Sequence, residues 1–136
     1  MKLLLFFARS FSYETFIRSL PDVPDIDKKE SVGDAVVIFF HVEEEDTEKR
    51  SKVIQKFVKN AKWLCGKFGT KNVVLHSFNH LSSSKAPPDF SKELLGEVAA
   101  RLERVGFQIM ITPFGYFNEF NIHVAGDSLA KVFKEF

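Results

Sequence analysis

Two apolar runs of strand length, DAVVIFFHV (34–42) and NVVLHSF (72–78), flank a stretch whose apolar residues recur at helical spacing. Val53, Phe57, Ala61, Leu64 and Phe68 form that stripe, and Ile54, Val58 and Cys65 widen it. This is the signature of a strand, an amphipathic helix and a second strand, with the helix laying its apolar face on the sheet. A chain built on that order is an α/β layer structure, and its other segments must be added to that unit.

KLLLFFA reads as a buried first strand, and SYETFIRSLPDVPDIDKKES as a polar, proline-punctuated connection with room for a short turn of helix. Asp46 or Thr47 is predicted to cap the first helix, and Gly66 and Gly69 to mark its end. In PPDFSKELLGEVAARLERVG a second helix is expected: Asp89 caps it, Phe90, Leu94, Val98, Leu102 and Val105 line one face, and Gly106 ends it. FQIMITPFG and EFNIHVAG read as two adjacent strands joined around GYFN. Asp127 or Ser128 then begins a last short helix, SLAKVFKEF. The expected fold is α/β, with mixed or antiparallel sheet layers packed with two main helices and a short C-terminal helix.

The chain has 136 residues, the length of a single domain, with no internal repeat and no low-complexity tail. Sixteen phenylalanines against one tryptophan and two tyrosines mean that most rings fill core without needing a polar partner. The single cysteine, Cys65, excludes an internal disulfide framework and a thiolate zinc site, and its place on the helical stripe makes it a core residue. MKLLLFFARS resembles a signal peptide in its lysine and apolar run, but the run is short and ends at Arg9, so it is read as a strand. No run approaches the roughly twenty apolar residues of a membrane span. The natural reading is a soluble, cytoplasmic protein. Net charge is +1, so the chain as a whole does not advertise nucleic-acid binding. Its charges are nevertheless uneven: the acids of VEEEDTEK precede a basic stretch that puts Lys52, Lys56, Lys59 and Lys62 away from the core face of the first helix.

There is no glycine-rich phosphate loop, CxxC, HExxH or GxSxG, and no pair of the four histidines has ligand spacing within a turn or helix, so neither cofactor nor metal is expected. Two segments remain as candidates. In HSFNHLSSSKAPP, His80 follows a strand end, where loops of α/β sheets bind ligands; the alternative is that His80 and Ser82–Ser84 only satisfy a turn. In TPFGYFNEF, Tyr116 is placed to hydrogen-bond while its ring stacks on a base, against the alternative of an ordinary hairpin with exposed rings. Glu119 is either a general base or an exposed strand-end carboxylate. Lys131 and Lys134 read by default as solvent-facing charges of the final helix.

Taken together, NVVLHSFNHLSSSKAPP, the helix after it, GFQIMITPFGYFNEFNIHVAG and DSLAKVF resemble the amino-terminal editing domain of archaeal threonyl-tRNA synthetases. The resemblance covers most of the chain, more weakly at the opening strand and VVIFFHVEEED. It implies a D-aminoacyl-tRNA deacylase-like fold over residues 1–136 as one editing domain, standing alone or cut from a longer synthetase chain. It implies a homodimer that works beside a synthetase catalytic module in cis or trans. The implied reaction is hydrolysis of L-serine from mischarged threonine tRNA. Carried over residue by residue, Ser77, Phe78, Asn79, His80 and Ser82 line the amino-acid and adenosine pocket. Pro113, Phe114, Gly115 and Tyr116 lie beside the substrate, with Glu119 in or next to that turn and the backbone near Phe117 orienting it.

Lys52, Lys56, Lys59 and Lys62 would meet acceptor-stem phosphates. The family commonly has proline at Ser77, lysine at Asn118 and glutamate at Lys131, and Gly-His-Pro-Leu-Ala-Glu where this chain has GDSLAK. With those charges changed, water attack would rest on the terminal adenosine's 2′-hydroxyl and on backbone N–H groups, with His80, Phe117, Asn118 and Lys131 as the nearest protein participants. A general D-aminoacyl-tRNA deacylase and a noncatalytic tRNA-binding or dimerising appendage are the rival readings.

Overall fold

The computed structural model describes all 136 residues. β1 (Lys2–Arg18) and β2 (Lys29–His41) form a long antiparallel hairpin, in which Leu3 stands opposite Phe40 and Tyr13 opposite Glu30. α1 (Arg50–Phe68), β3 (Asn72–Ser77), α2 (Pro88–Arg104), β4 (Gln108–Ile111), β5 (Tyr116–Val124) and β6 (Lys131–Glu135) follow. The sheet order is β4-β3-β2-β1-β5, with β6 also paired to β1. β2, β3 and β4 are mutually parallel, which the two helical crossovers allow, and every pairing of β1 is antiparallel.

Strand alternation explains why the inner strands read as continuous apolar runs: they are buried on both faces. On one face Leu3, Leu5, Phe7, Val36, Ile38, Phe40, Val73 and Leu75 pack under the apolar stripes of α1 and α2. On the other, Ala8, Phe11, Tyr13, Ala35, Val37, Phe39 and Val74 form a smaller cluster without helices above it. Both predicted helices are present, and α1 ends on Gly69 in the left-handed region at φ 64°. No helix is long and apolar enough to cross a membrane.

Five expectations are corrected. β4 and β5 are not adjacent strands: β4 pairs with β3 and β5 with β1, which puts them at opposite ends of the sheet order, because the free edges of β3 and β1 take them up separately. Half of the segment read as a polar connection is strand, because β1 runs on to Arg18 and β2 begins at Lys29. β5 pairs along SYETFIR apart from a bulge at Phe16, and β2 pairs with its first three residues, so most of its backbone is satisfied whatever its side chains. The final helix is instead a short 3-10 turn, Ser128–Ala130, leading into β6, so Lys131 and Lys134 lie on a strand. Leu129, Val132, Phe133 and Phe136 do have helical spacing, but β5 leaves β1 beyond Ala8, and Lys131–Glu135 pairs with the edge left at Lys2–Phe6.

α1 starts at Arg50 after a 3-10 turn, Glu44–Glu48, and is not capped by Asp46 or Thr47. Asp46 is fully buried, and its carboxylate accepts from the Glu43 amide at 2.7 Å and the Met1 amine at 3.0 Å. α2 starts on Pro88, a residue suited to a first turn, which leaves Asp89 within that turn and not at the cap.

Candidate functional site

A cavity of about 600 Å³ opens where the C-terminal ends of β2 and β3 meet the first turn of α2 and the turn before β5. The β3 side contributes His76, Ser77, Phe78, Asn79 and His80; the other side contributes Phe114, Gly115, Tyr116, Phe117, Asn118 and Phe120. The two motif segments, 35 or so residues apart in sequence, are therefore two walls of one cleft. Lys85 and Ala86 lie beside Pro88 and Ser91 of α2, and Ser19 and Leu20 of the β1–β2 loop close the rim.

Each wall is held by contacts that its own sequence does not reveal. On the β3 side the Phe78 amide donates to the Phe40 carbonyl at 2.9 Å and the His80 amide to the Phe78 carbonyl at 2.9 Å. The exposed His80 imidazole then stands edge-on to the Phe78 ring at 4.9 Å. Buried His41 anchors the rest of that loop: its Nδ1 accepts from the Leu81 amide at 3.1 Å, so its Nε2–H donates to the Ser84 carbonyl at 2.6 Å. The Ser82 hydroxyl donates to Glu43 at 2.8 Å and accepts from the Ser84 amide at 3.1 Å, which makes Ser82 a brace of the loop outside the cavity lining.

On the opposite wall the Gly115 carbonyl accepts from the Ser19 and Leu20 amides at 2.7 and 3.2 Å. Tyr116 does not offer its phenol to a ligand. Its oxygen accepts from the Ile26 amide and its proton goes to the Pro24 carbonyl, each at 2.7 Å, so its hydroxyl pins the loop that forms the rim.

The electrostatic character of the cleft follows from its lining. No aspartate or glutamate lines it, and Lys85 is its only lysine or arginine. His76 is buried among the rings of Phe39, Phe78 and Phe120, and that burial pushes its imidazole down to about 4, so it is neutral at physiological pH. The amides of Asn79, Phe114 and Gly115 take part in no hydrogen bond of the chain, which leaves backbone donors free on lining residues of both walls. Such an arrangement can bind a polar, partly aromatic ligand and stabilise negative charge on an oxygen; it holds no carboxylate to act as a base.

Residues 1–136 match the profile described as the archaea-specific editing domain of threonyl-tRNA synthetase, which is the whole chain. The chain belongs to that family. Among curated relatives, a threonine–tRNA ligase of Hyperthermus butylicus is 29% identical over 142 residues, covering 100% of this chain and 23% of that protein. One of Thermococcus onnurineus is 30% identical over 135 residues, covering 97% of this chain and 22% of that protein. The editing domain thus spans less than a quarter of the length of these relatives. A solved structure of the c-Myc DNA Unwinding Element Binding Protein superposes over 99% of this chain and 98% of its own, with a TM-score of 0.68 and 14% identity, a likeness of fold alone. The fold of the editing domain is α/β and D-aminoacyl-tRNA deacylase-like, as the sequence led us to expect, apart from its last segment and the separation of β4 from β5.

Of the candidate residues, Ser77, Phe78, Asn79, His80, Phe114, Gly115, Tyr116, Phe117 and Asn118 line the cleft, whereas Ser82, Pro113, Glu119 and Lys131 do not. The Lys131 ammonium donates to the carbonyls of Ala125 and Asp127 at 2.9 and 3.3 Å. Lys52, Lys56, Lys59 and Lys62 are exposed on α1, apart from the cleft lining. Buried Cys65 has its thiol pushed up to about 12, chiefly by desolvation, and belongs to the core under the helices. Sequence reasoning missed His76, His41 and Lys85. For His76 the available signal was strand alternation, since it shares a sheet face with Phe78 two positions later.

Proposed function

We propose that the domain hydrolyses the ester joining L-serine to the terminal adenosine of threonine tRNA and spares the L-threonyl ester. The observation that supports this most directly is the single cleft walled by the family's two motif segments, with unpaired backbone amides and no acidic side chain. An aminoacyl ester is already activated, and removing one oxyanion donor costs about 3 kcal/mol in known cases, so fixed amides carry much of the barrier lowering. With no carboxylate at hand, the terminal 2′-hydroxyl holds or activates the water. His80 and Asn118 border the reacting group, the Phe117 backbone orients it, and Ser77, Phe78, Asn79, Phe114, Gly115 and the Tyr116 ring enclose the aminoacyl-adenosine. Ser82 and Pro113 belong to the surrounding loops, Glu119 stands on β5 outside the lining, and this chain's Lys131 is assigned no substrate contact.

The same reading includes a homodimer and a synthetase module in cis or trans. Phe117 and Phe133 are 60% and 51% exposed on β5 and β6, strands whose outer edges are unpaired, which favours pairing with a second copy. Lys52, Lys56, Lys59 and Lys62 take tRNA phosphates. Reversing all four charges is expected to weaken tRNA binding and to flatten its log–log salt dependence by about 0.9 for each phosphate that is no longer neutralised. Unchanged affinity and slope would remove these lysines from the interface.

A single-turnover time course with L-seryl-, L-threonyl- and D-aminoacyl-tRNA for threonine tests the function. The L-seryl ester is expected to disappear at least about tenfold faster than the L-threonyl ester, as the methyl group is worth about 1–3 kcal/mol in a fitted pocket. A terminal 2′-deoxy substrate is expected to react at least about tenfold more slowly. Equal rates on D-aminoacyl esters would favour a general D-aminoacyl-tRNA deacylase. No hydrolysis at saturating binding would favour a noncatalytic tRNA-binding or dimerising appendage.

A further inference from the structure

Among the polar side-chain atoms of the cleft walls without a partner in the chain are one on His76 and one on Asn118. His76 is 5% exposed, and its Nδ1 lies 2.9 Å from Thr112 Oγ1, while Nε2 makes no hydrogen bond; its remaining exposure is to the cavity that it lines. Asn118 ties its Nδ2 to the Tyr116 carbonyl at 3.4 Å, which leaves Oδ1 buried and unpaired. Phe120 links the two side chains. Its ring is 5.0 Å from the imidazole, and Asn118 stands two residues earlier on the same face of β5.

The tautomer follows from Thr112. Its hydroxyl has the Leu75 carbonyl at 3.5 Å as well as the imidazole at 2.9 Å. Both contacts are used when the hydroxyl donates to the carbonyl and accepts from Nδ1–H, which leaves the lone pair on Nε2. Burial keeps the ring neutral, so that lone pair is available at physiological pH. Both orphan atoms are then acceptors. The rings of Phe78 and Phe120 lie 6.5 and 5.0 Å from the imidazole, and no acid lines the cleft.

Neutral acceptors beside aromatic rings suit an ammonium, which supplies three N–H donors and is attracted to ring faces; they repel phosphate and carboxylate oxygens. We propose that His76 Nε2 and Asn118 Oδ1 receive the α-ammonium of the aminoacyl group, making His76 and Asn118 specificity residues for a free amine. This rests on the deacylase reading above. Anchoring the ammonium turns the ester carbonyl toward the unpaired amides and excludes esters whose amine is acylated, because an acylated amine has lost its charge and two of its donors.

The test compares tRNA charged with L-serine and with N-acetyl-L-serine. The unmodified domain is expected to prefer the free amine by about 100-fold or more in kcat/KM, as sites built around a substrate N–H do. His76→Phe and Asn118→Ala are each expected to cut that preference about tenfold, mainly through KM, whereas His76→Gln, which retains an acceptor, keeps most of it. Equal hydrolysis of the two substrates by the unmodified domain, or an undiminished preference in His76→Phe, overturns the proposal and leaves the deacylase reading standing. Hydrolysis of neither substrate removes that reading, and this proposal falls with it. A second measurement needs no variant. In the unmodified domain, an amide-linked seryl-adenosine is expected to shift the ¹⁵N resonance of His76 Nε2 while that of Nδ1 stays in place, and the N-acetyl form to shift neither. An unmoved Nε2 resonance at saturating analogue overturns the assignment.

Discussion

Gly115→Val is expected to destabilise the domain by about 3 kcal/mol or more and to lower deacylation at least about 100-fold. Gly115 has φ 82°, where a β-branched residue is strained, and a Cβ there would meet Val23 Cγ1 at 2.5 Å, Val23 Cγ2 at 3.3 Å and Leu20 Cβ at 3.4 Å. Relief requires the 19–28 loop to lift from the turn. That motion breaks the Ser19 and Leu20 hydrogen bonds to the Gly115 carbonyl and pulls on the pair of bonds that Tyr116 makes to Pro24 and Ile26. The rim of the cleft then opens, and displacement of a substrate-positioning group by about 1 Å can cost two orders of magnitude in rate. Gly115→Ala carries both penalties in milder form, and combining it with Val23→Ala separates them: the steric part is recovered and the backbone part is not. Thermal melts and single-turnover rates measure both effects. A Gly115→Val domain with unchanged melting temperature and rate would show that the loop does not bear on the site.

The second large effect concerns Glu43. Its carboxylate accepts from the Met1 amine at 2.6 Å and from Ser82 at 2.8 Å, and lies 3.4 Å from the Lys2 ammonium. Burial by itself would raise its pKa. Hydrogen bonds from the amine and from Ser82, with the charges of the amine and Lys2, outweigh burial and hold the carboxyl at about 2. A carboxyl depressed on folding stabilises the native state above its unfolded pKa, and that contribution is lost as pH falls toward the folded value. Glu43 is therefore expected to supply about 3 kcal/mol at neutral pH, disappearing between about pH 4.5 and 2. Glu43→Gln should lower the melting temperature at pH 6, and its difference from the unmodified domain should shrink as pH falls through that window. A difference that stays constant from pH 6 to 2 would contradict the assignment. Because Ser82 braces the loop that carries His80, the same substitution is expected to reduce deacylation as well as stability.

How much of this was legible beforehand differs from element to element. α1 and α2 could be read because their stripes are local: Val53 to Phe68 and Leu94 to Leu102 repeat at helical period regardless of what they cover. β6 could not, since Leu129, Val132, Phe133 and Phe136 satisfy that period too, and only the free edge of β1 decides for a strand. The cleft-lining segments could be found by resemblance. Their division of labour could not, because it rests on non-local partners. Tyr116 is occupied by a loop some ninety residues earlier in the chain, His41 by the serine loop, and Glu43 by Ser82 and the amine of Met1. In sequence Glu43 sits in an acidic run that looks solvated, and His76 in an apolar strand that looks like core. Alternation does put His76 and Phe78 on one sheet face, but only the curl of β5 over that face brings Phe120 and Asn118 to them.

The location of the bound substrate end tests the central claim most directly. Amide-shift mapping of the ¹⁵N-labelled domain titrated with amide-linked seryl-adenosine is predicted to perturb Phe78–His80, Phe114–Asn118 and Phe120 as one saturating set, with the resonances of α1 unmoved. Perturbations centred on α1 or on the outer edge of β4, with both cleft segments unmoved at saturation, would contradict it.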